Sequence, residues 1–307
     1  ISRSSSNLEI RRSLGCSNSS VFGAFIQSPN WMMKAGGPLP LVIGFLLGGA
    51  FMLIVGFSYA YMIAKFPVAG GEFAYAYVGF GPTASYICGW MLSVGYFGIV
   101  ALNATAVPVL FSILTPGLLK VGYLWTIAGW PVYAGEVAVS LALLWVLGFV
   151  NYRGVKSGGN LQLFLCALLC AAVVLIVLGT AVTGNFNLSN LQPAANQNGV
   201  PMLKGIILIV AMAPFLYVGF DCIPQAAEEF NFPANKTLML IFSAIGVGAL
   251  IYAALAVVTA SVIPWLDMVN LTDANGNPES WRTGAMIKQA LGGLGLAFVV
   301  IAVLAGM

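Results

Sequence analysis

Two apolar stretches of this 307-residue chain are interrupted by residues that a membrane helix carries only at a cost. The first, Val21 to Pro38 (VFGAFIQSPNWMMKAGGP), is too short to span a bilayer and is punctuated by Gly23, Pro29, Gly36 and Gly37. The second, Ala213 to Glu229 (APFLYVGFDCIPQAAEE), contains Pro214, Gly219 and Pro224, places Asp221 at membrane depth, and ends in Glu228 and Glu229. Glycine lets the chain leave helical geometry, and each break frees backbone N–H and C=O groups that lipid cannot satisfy. Half-helix amino termini then offer N–H groups and partial positive charge to a carboxylate, while freed carbonyls and half-helix carboxyl termini suit an ammonium or Na⁺. A zwitterion such as an amino acid fits both. A single Pro/Gly kink often only shapes helix packing. Two kinks five helices apart, in corresponding places of two halves, point instead to a binding site at the bilayer midplane.

The elements that must position these breaks are membrane helices. Hydrophobic side chains make up 60% of the sequence and charged ones 7%, against about a quarter charged in soluble domains. Apolar runs of spanning length lie at about 39–64, 86–114, 132–151, 161–183, 205–223, 239–265 and 290–307. They are apolar on all sides and two to three times longer than barrel strands, so the fold class is an all-α polytopic transmembrane bundle. The chain begins with Ile1, opens on a Ser/Arg-rich stretch and stops at Met307 inside an apolar run, and is therefore expected to be a fragment. The division is a polar stretch at 1–20, a first half at 21–184 with helix one incomplete, and a second half at 204–307 cut at its third helix.

Side-chain chemistry is sparse. There is no histidine, which excludes a histidine triad, an HExxH zinc site and a haem axial histidine, and a membrane enzyme is not expected. Cys16, Cys88, Cys166, Cys170 and Cys222 form no CxxC pair and read as small core hydrophobes. The net charge of +3 contains no basic run, so nucleic acid is not a partner. With a cytoplasmic amino terminus and 21–36 completing a first span, the inside holds Arg3, Arg11, Arg12, Lys65, Arg153, Lys156 and Lys236. Lys34, Lys120, Lys204, Arg282 and Lys288 then fall outside, a seven-to-five bias in the expected direction. The long polar segments 184–203 and 266–289 also fall outside, with Asn-x-Ser/Thr tripeptides at Asn187 and Asn270.

The residues carry a family resemblance. FPVAGGEFAYAYVGFGPTASYICGW (66–90), NYRGVKSGGNLQ (151–162) and FLYVGFDCIPQAAEEFNFP (215–233), in this order over roughly 200 residues, resemble the amino acid/polyamine/organocation transporter superfamily. The resemblance implies the LeuT-like five-plus-five inverted repeat, here incomplete at both ends. It also implies secondary active transport of amino acids or related small amines by alternating access in a plasma or cell membrane. Aligned on the family's broken sixth helix, Phe215 would be the aromatic gate over the substrate. The carbonyls around Tyr217, Val218 and Gly219 would face its amine, and Gly23, Ala24 and Phe25 would offer N–H groups to its carboxylate. No cofactor is implied; Na⁺ symport, H⁺ symport and exchange are all compatible with the sequence.

Asp221 has two readings of equal weight: a proton- or charge-sensing group in the inward pathway, since intramembrane carboxylates are costly and usually functional, or a partner for N–H groups freed by the break. Glu228 and Glu229 could latch an inward gate against Arg153 or Lys156, or simply end a solvated helix. The family's first helix normally has an apolar inner half and a Gly-Ser-Gly break, whereas this chain reads SLGCSNSSVFGAFIQSP. The inner half-helix is thus expected to be missing or replaced, and the 307 residues alone are expected not to transport. The alternative role is a non-transporting structural or interaction element. A lysine that some relatives carry in the fifth helix is replaced here by CALLC (166–170). GGEFAYAY (70–77) reads as a short helix in a cytoplasmic loop, or as an interfacial aromatic belt. Asn103 and Thr105 either face a cavity or bond locally, and Gly44 and Gly48 suit close helix packing.

Overall fold

The computed structural model describes residues 22–115, 117–127, 130–153, 155–225, 235–271 and 281–306. In chain order these form α1 (Phe22–Ala35), α2 (Pro38–Lys65), α3 (Glu72–Phe80), α4 (Pro82–Leu114), a hairpin of β1 (Tyr123–Ile127) and β2 (Trp130–Tyr133), α5 (Ala134–Tyr152) and α6 (Val155–Val182). They continue as a 3₁₀ turn (Leu188–Leu191), α7 (Met202–Leu216), α8 (Cys222–Gln225), α9 (Asn235–Val262), α10 (Trp265–Val269) and α11 (Arg282–Gly306). Among the described residues, five stretches are long and apolar enough to cross a membrane: Pro38–Lys65, Pro82–Pro108, Leu163–Val182, Thr237–Val262 and Arg282–Leu304. With them go two shorter apolar helices, Ala134–Val150 and Met202–Leu216. Each of the seven runs expected from hydropathy is helical over most of its described length; the run at 132–151 opens in β2 and that at 205–223 is broken after Leu216.

The described residues fall into two compact units. The first comprises Ile1–Gly71 and Leu165–Gly306. At its centre α2 lies along α7 and α9, and glycines let the backbones approach. A Cβ built on Gly44 would stand 2.5 Å from Ile209 Cβ, one on Gly48 2.8 Å from Ala213 Cβ, and one on Gly49 2.9 Å from Ala249 Cβ. These distances are shorter than van der Waals contact, so only glycine fits, and the Gly44/Gly48 spacing does serve close packing within the chain. The segment after α6 fastens to the α1–α2 corner and to the end of α9. Leu39 N donates to Ala194 O (3.0 Å), Gln197 N to Gly36 O (3.0 Å), and Asn190 Nδ2 to Ser261 O (2.8 Å). Asn187 and Asn270 are exposed, each with a local bond: Asn187 Oδ1 accepts from Ser189 N at 3.0 Å and Asn270 Nδ2 donates to Leu266 O at 2.9 Å.

The second unit comprises Glu72–Phe164, with α4 packed on α5. The EFAYAY part of GGEFAYAY forms the start of the short helix α3, pinned to α4 by Ser85 Oγ donating to Phe73 O at 2.9 Å. Its Tyr75 hydroxyl is buried without a hydrogen-bond partner among the described residues, and burial, then the Glu72 carboxylate nearby, pushes the phenol up to about 12. Thr105 bonds back to its own helix, Oγ1 to Leu102 O at 2.9 Å.

Two features depart from the sequence reading. The aromatic and β-branched stretch YLWTIAGWPVY closes as an antiparallel hairpin, with Tyr123 opposite Tyr133, in an otherwise all-α fold. The last helix starts at Arg282, not near 290, and bends at Gly292, whose φ of 71° is left-handed. The polar character of Arg282, Thr283, Lys288 and Gln289 disguises the first part of this helix as loop.

Candidate functional site

The break expected in the second stretch is present. Helix α7 ends at Leu216, Tyr217 N still donates to Ala213 O at 3.0 Å, and Tyr217–Asp221 then form a turn before the four-residue α8. Gly219, at φ 123°, adopts a conformation that a side chain would strain. The Asp221 carboxylate reaches back to this turn: Oδ1 accepts from Gly219 N at 2.7 Å. That is the second of the two roles read for Asp221, a partner for an N–H group that the broken helix has released.

Neighbouring side chains also attend to the break, which the sequence did not disclose. Tyr252 of α9, fully buried, donates its hydroxyl to Leu216 O at 2.8 Å. Leu216 is the last residue of α7, so this carbonyl has lost the helical N–H four residues on. Tyr217, nearly buried, turns its own hydroxyl onto Phe45 O of α2 at 2.8 Å. Gly49 makes room for it, since a Cβ there would lie 3.3 Å from the phenol oxygen. Tyr217 and Tyr252 meet edge to face with centroids 5.5 Å apart, Tyr252 packs on Phe45 at 5.1 Å, and Phe45 on Trp31 of α1 at 5.8 Å. This aromatic cluster joins α1, α2, α7 and α9 around the turn. Among the described residues, no hydrogen bond reaches the Tyr217 and Val218 carbonyls. They are acceptors of the kind that suit an ammonium or Na⁺.

The first stretch is arranged differently. Gly23, Ala24 and Phe25 lie in the first described turn of α1 and are helical; among the described residues the departure from helix comes at Gly36 and Gly37, with φ of 79° and 145°. Ala24 and Phe25 are fully buried. Pro29 lies inside α1 and has no N–H to give the carbonyl four residues back, that of Phe25. Trp281 Nε1 fills the vacancy, donating to Phe25 O at 2.7 Å, and the next residue, Arg282, donates from Nη1 to Asn30 Oδ1 at 2.8 Å.

The structure therefore gathers Tyr217, Val218, Gly219 and Asp221 at one turn, and Gly23, Ala24 and Phe25 on one turn of α1. Phe215 sits on the last turn of α7 and is 56% exposed. Glu228 and Glu229 lie outside the described residues. Arg153, suggested as their partner, places its guanidinium over the Phe149 ring at 5.0 Å. Tyr252 and Trp281 carried no local signal: each is one aromatic residue of an apolar or loop segment, and its hydrogen-bonding partner is 36 or 256 positions away.

Apolar helices of this number and length, two of them disturbed by Gly and Pro, define an integral multi-pass membrane protein. The sequence profile of the amino acid permease family matches residues 11–307, and the chain belongs to that family. This agrees with the resemblance to the amino acid/polyamine/organocation superfamily. The methylthioribose transporter of Bacillus subtilis is 26% identical over 277 residues, covering 89% of this chain and 57% of the relative. An uncharacterized transporter of Mycobacterium tuberculosis is 28% identical over 262 residues, covering 83% and 54% respectively. The branched-chain amino acid permease BcaP of Bacillus subtilis is 23% identical over 335 residues, covering 100% of this chain and 67% of the relative. The chain thus spans a little over half the length of the first two relatives. All three are named as transporters or permeases, not as enzymes.

Proposed function

We propose that the chain serves secondary transport of an amino acid or related small amine by alternating access, with the Tyr217–Asp221 turn as the center of its binding site. The observation that carries this reading is the turn itself. A membrane helix gives up its hydrogen bonding at Leu216, a glycine holds the strained corner, and the two carbonyls that follow face no protein donor among the described residues. Leaving such groups unmatched in a bilayer costs several kcal/mol each, by order of magnitude, so an ammonium or a coupling Na⁺ is the natural occupant. The first turn of α1, with Gly23, Ala24 and Phe25, is the proposed carboxylate-binding element, and Phe215 the proposed cover. Coupling to Na⁺, coupling to H⁺ and exchange differ only in what accompanies the substrate.

Relatives named for a methylthioribose, a branched-chain and a cationic amino acid substrate set the panel to be tried. The chain, purified and reconstituted in vesicles, is offered radiolabelled leucine, lysine, arginine and methylthioribose under imposed Na⁺ or H⁺ gradients. The turn at 217–221 calls for saturable uptake of an amino acid, lost in Gly219→Val, an outcome that would set aside the expectation drawn from the amino-terminal sequence. Binding of the same compounds is followed in parallel by thermal stabilisation. Neither uptake nor stabilisation by any of them would leave the non-transporting, structural role as the reading.

A further inference from the structure

In each of the two interrupted segments a carbonyl that its own helix cannot satisfy is served by a side chain from far along the chain, for two different reasons. Phe25 O is orphaned by the missing N–H of Pro29, and Leu216 O by the end of α7. In both cases the replacement donor is an aromatic side chain from the second half of the sequence, buried to within 1% of full enclosure: Trp281 for Phe25 at 2.7 Å and Tyr252 for Leu216 at 2.8 Å. A lysine or arginine would add an unneeded charge, and a serine is too short to reach from a neighbouring helix. Indole and phenol combine one polar atom with a large apolar body, which is what a single orphan carbonyl in an apolar interior calls for.

We propose that Tyr252 and Trp281 are positioning residues of the substrate site. By sealing these two carbonyls they fix the exit angle of α7 and the first turn of α1. They also withhold those oxygens from a guest, so that an ammonium must bind one step further along, at Tyr217 and Val218. The rest of the network fits this role. The second tyrosine, Tyr217, is held by Phe45 O through the gap that Gly49 leaves, so the start of the turn is anchored to both α2 and α9. The proposal rests on the reading of this turn as a binding site, but its structural half is measurable without transport.

The test uses Tyr252→Phe and Trp281→Phe in the full chain, each keeping an aromatic ring and deleting the donor, with Tyr61→Phe, an exposed phenol of α2, as control. Hydrogen exchange by mass spectrometry is read at 217–221 for Tyr252→Phe and at 23–28 for Trp281→Phe, alongside uptake kinetics. Faster exchange confined to those segments is expected, together with a KM raised about three- to ten-fold at little-changed maximal rate, the effect of one buried hydrogen bond. Unaltered exchange in both variants overturns the proposal whatever the uptake shows. Faster exchange with unaltered KM overturns the positioning role. Faster local exchange in a protein that neither binds nor carries any of the compounds supports the sealing of the carbonyls and sinks only the transport reading.

Discussion

The contact of α2 with α9 at Gly56 yields a prediction whose size and sign come from coordinates. A methyl group added at Gly56 would stand 2.5 Å from Ile241 Cγ2 and 3.2 Å from Ile245 Cδ1, whereas Ile241 Cβ lies 4.0 Å away. Gly56→Ala therefore forces a steric overlap onto a fully buried isoleucine. Overpacking of this kind costs about 1–3 kcal/mol. The better helix propensity of alanine returns about 1 kcal/mol, leaving a net loss of up to about 2 kcal/mol. Ile241→Ala removes the colliding Cγ2 and leaves an ordinary contact at the Cβ, while opening a cavity that the new methyl partly fills. The double variant Gly56→Ala/Ile241→Ala should then be more stable than the sum of the single losses predicts, by about 1–3 kcal/mol. The measurement is a double-mutant cycle from SDS-driven unfolding in mixed micelles, followed by tryptophan fluorescence. Additive losses, with a coupling below about 0.5 kcal/mol, would show that α2 and α9 do not meet at this register.

Two further outcomes test other parts of the description. Asp221→Asn keeps an oxygen for Gly219 N and should leave stability nearly unchanged, whereas Asp221→Ala should lose about 1–3 kcal/mol in the same SDS assay; equal losses would refute the N–H partnership, and a displaced uptake–pH profile in Asp221→Asn would add the charge-sensing role. Tyr75, whose phenol is pushed up to about 12 chiefly by burial, holds its proton in the folded chain above pH 10, where an unfolded tyrosine releases it. Its stabilisation is complete below pH 10 and is lost as pH rises toward 12, so Tyr75→Phe should flatten alkaline unfolding there, and a Tyr75 phenolate band growing in near pH 10 by ultraviolet difference titration would contradict the burial.

Hydropathy located every described helix of spanning length because lipid imposes a length and an apolar composition that few other structures share. Proline, glycine and one misplaced acid marked the turn at 217–221 for an equally physical reason, since each is costly in a membrane helix unless used. What remained hidden depends on distance along the chain. Of the four residues that punctuate the first stretch, Gly36 and Gly37 turn the chain while Gly23 and Pro29 stay helical, because glycine permits departure from a helix without requiring it. The Tyr252 and Trp281 bonds, and the route of the Tyr217 hydroxyl to Phe45, depend on which helices adjoin, which a local pattern does not encode. The start of α11 at Arg282 was obscured because a helix on the polar side of a kink has no hydropathy signal of its own.

The clasp of residues 194–200 over the α1–α2 corner has a consequence for biogenesis. Gly37 meets Ala194 so closely that a Cβ would stand 2.4 Å from its carbonyl oxygen, and Gln197 bonds to Gly36. These partners are about 160 residues apart, so at 5–20 residues per second the corner waits roughly 10–30 s for its cover after it leaves the ribosome. Throughout that interval the Gly36 carbonyl and Leu39 amide must be served by water or lipid headgroups. The corner can therefore rest at the bilayer surface but cannot settle into its final seat until the first six helices have been threaded.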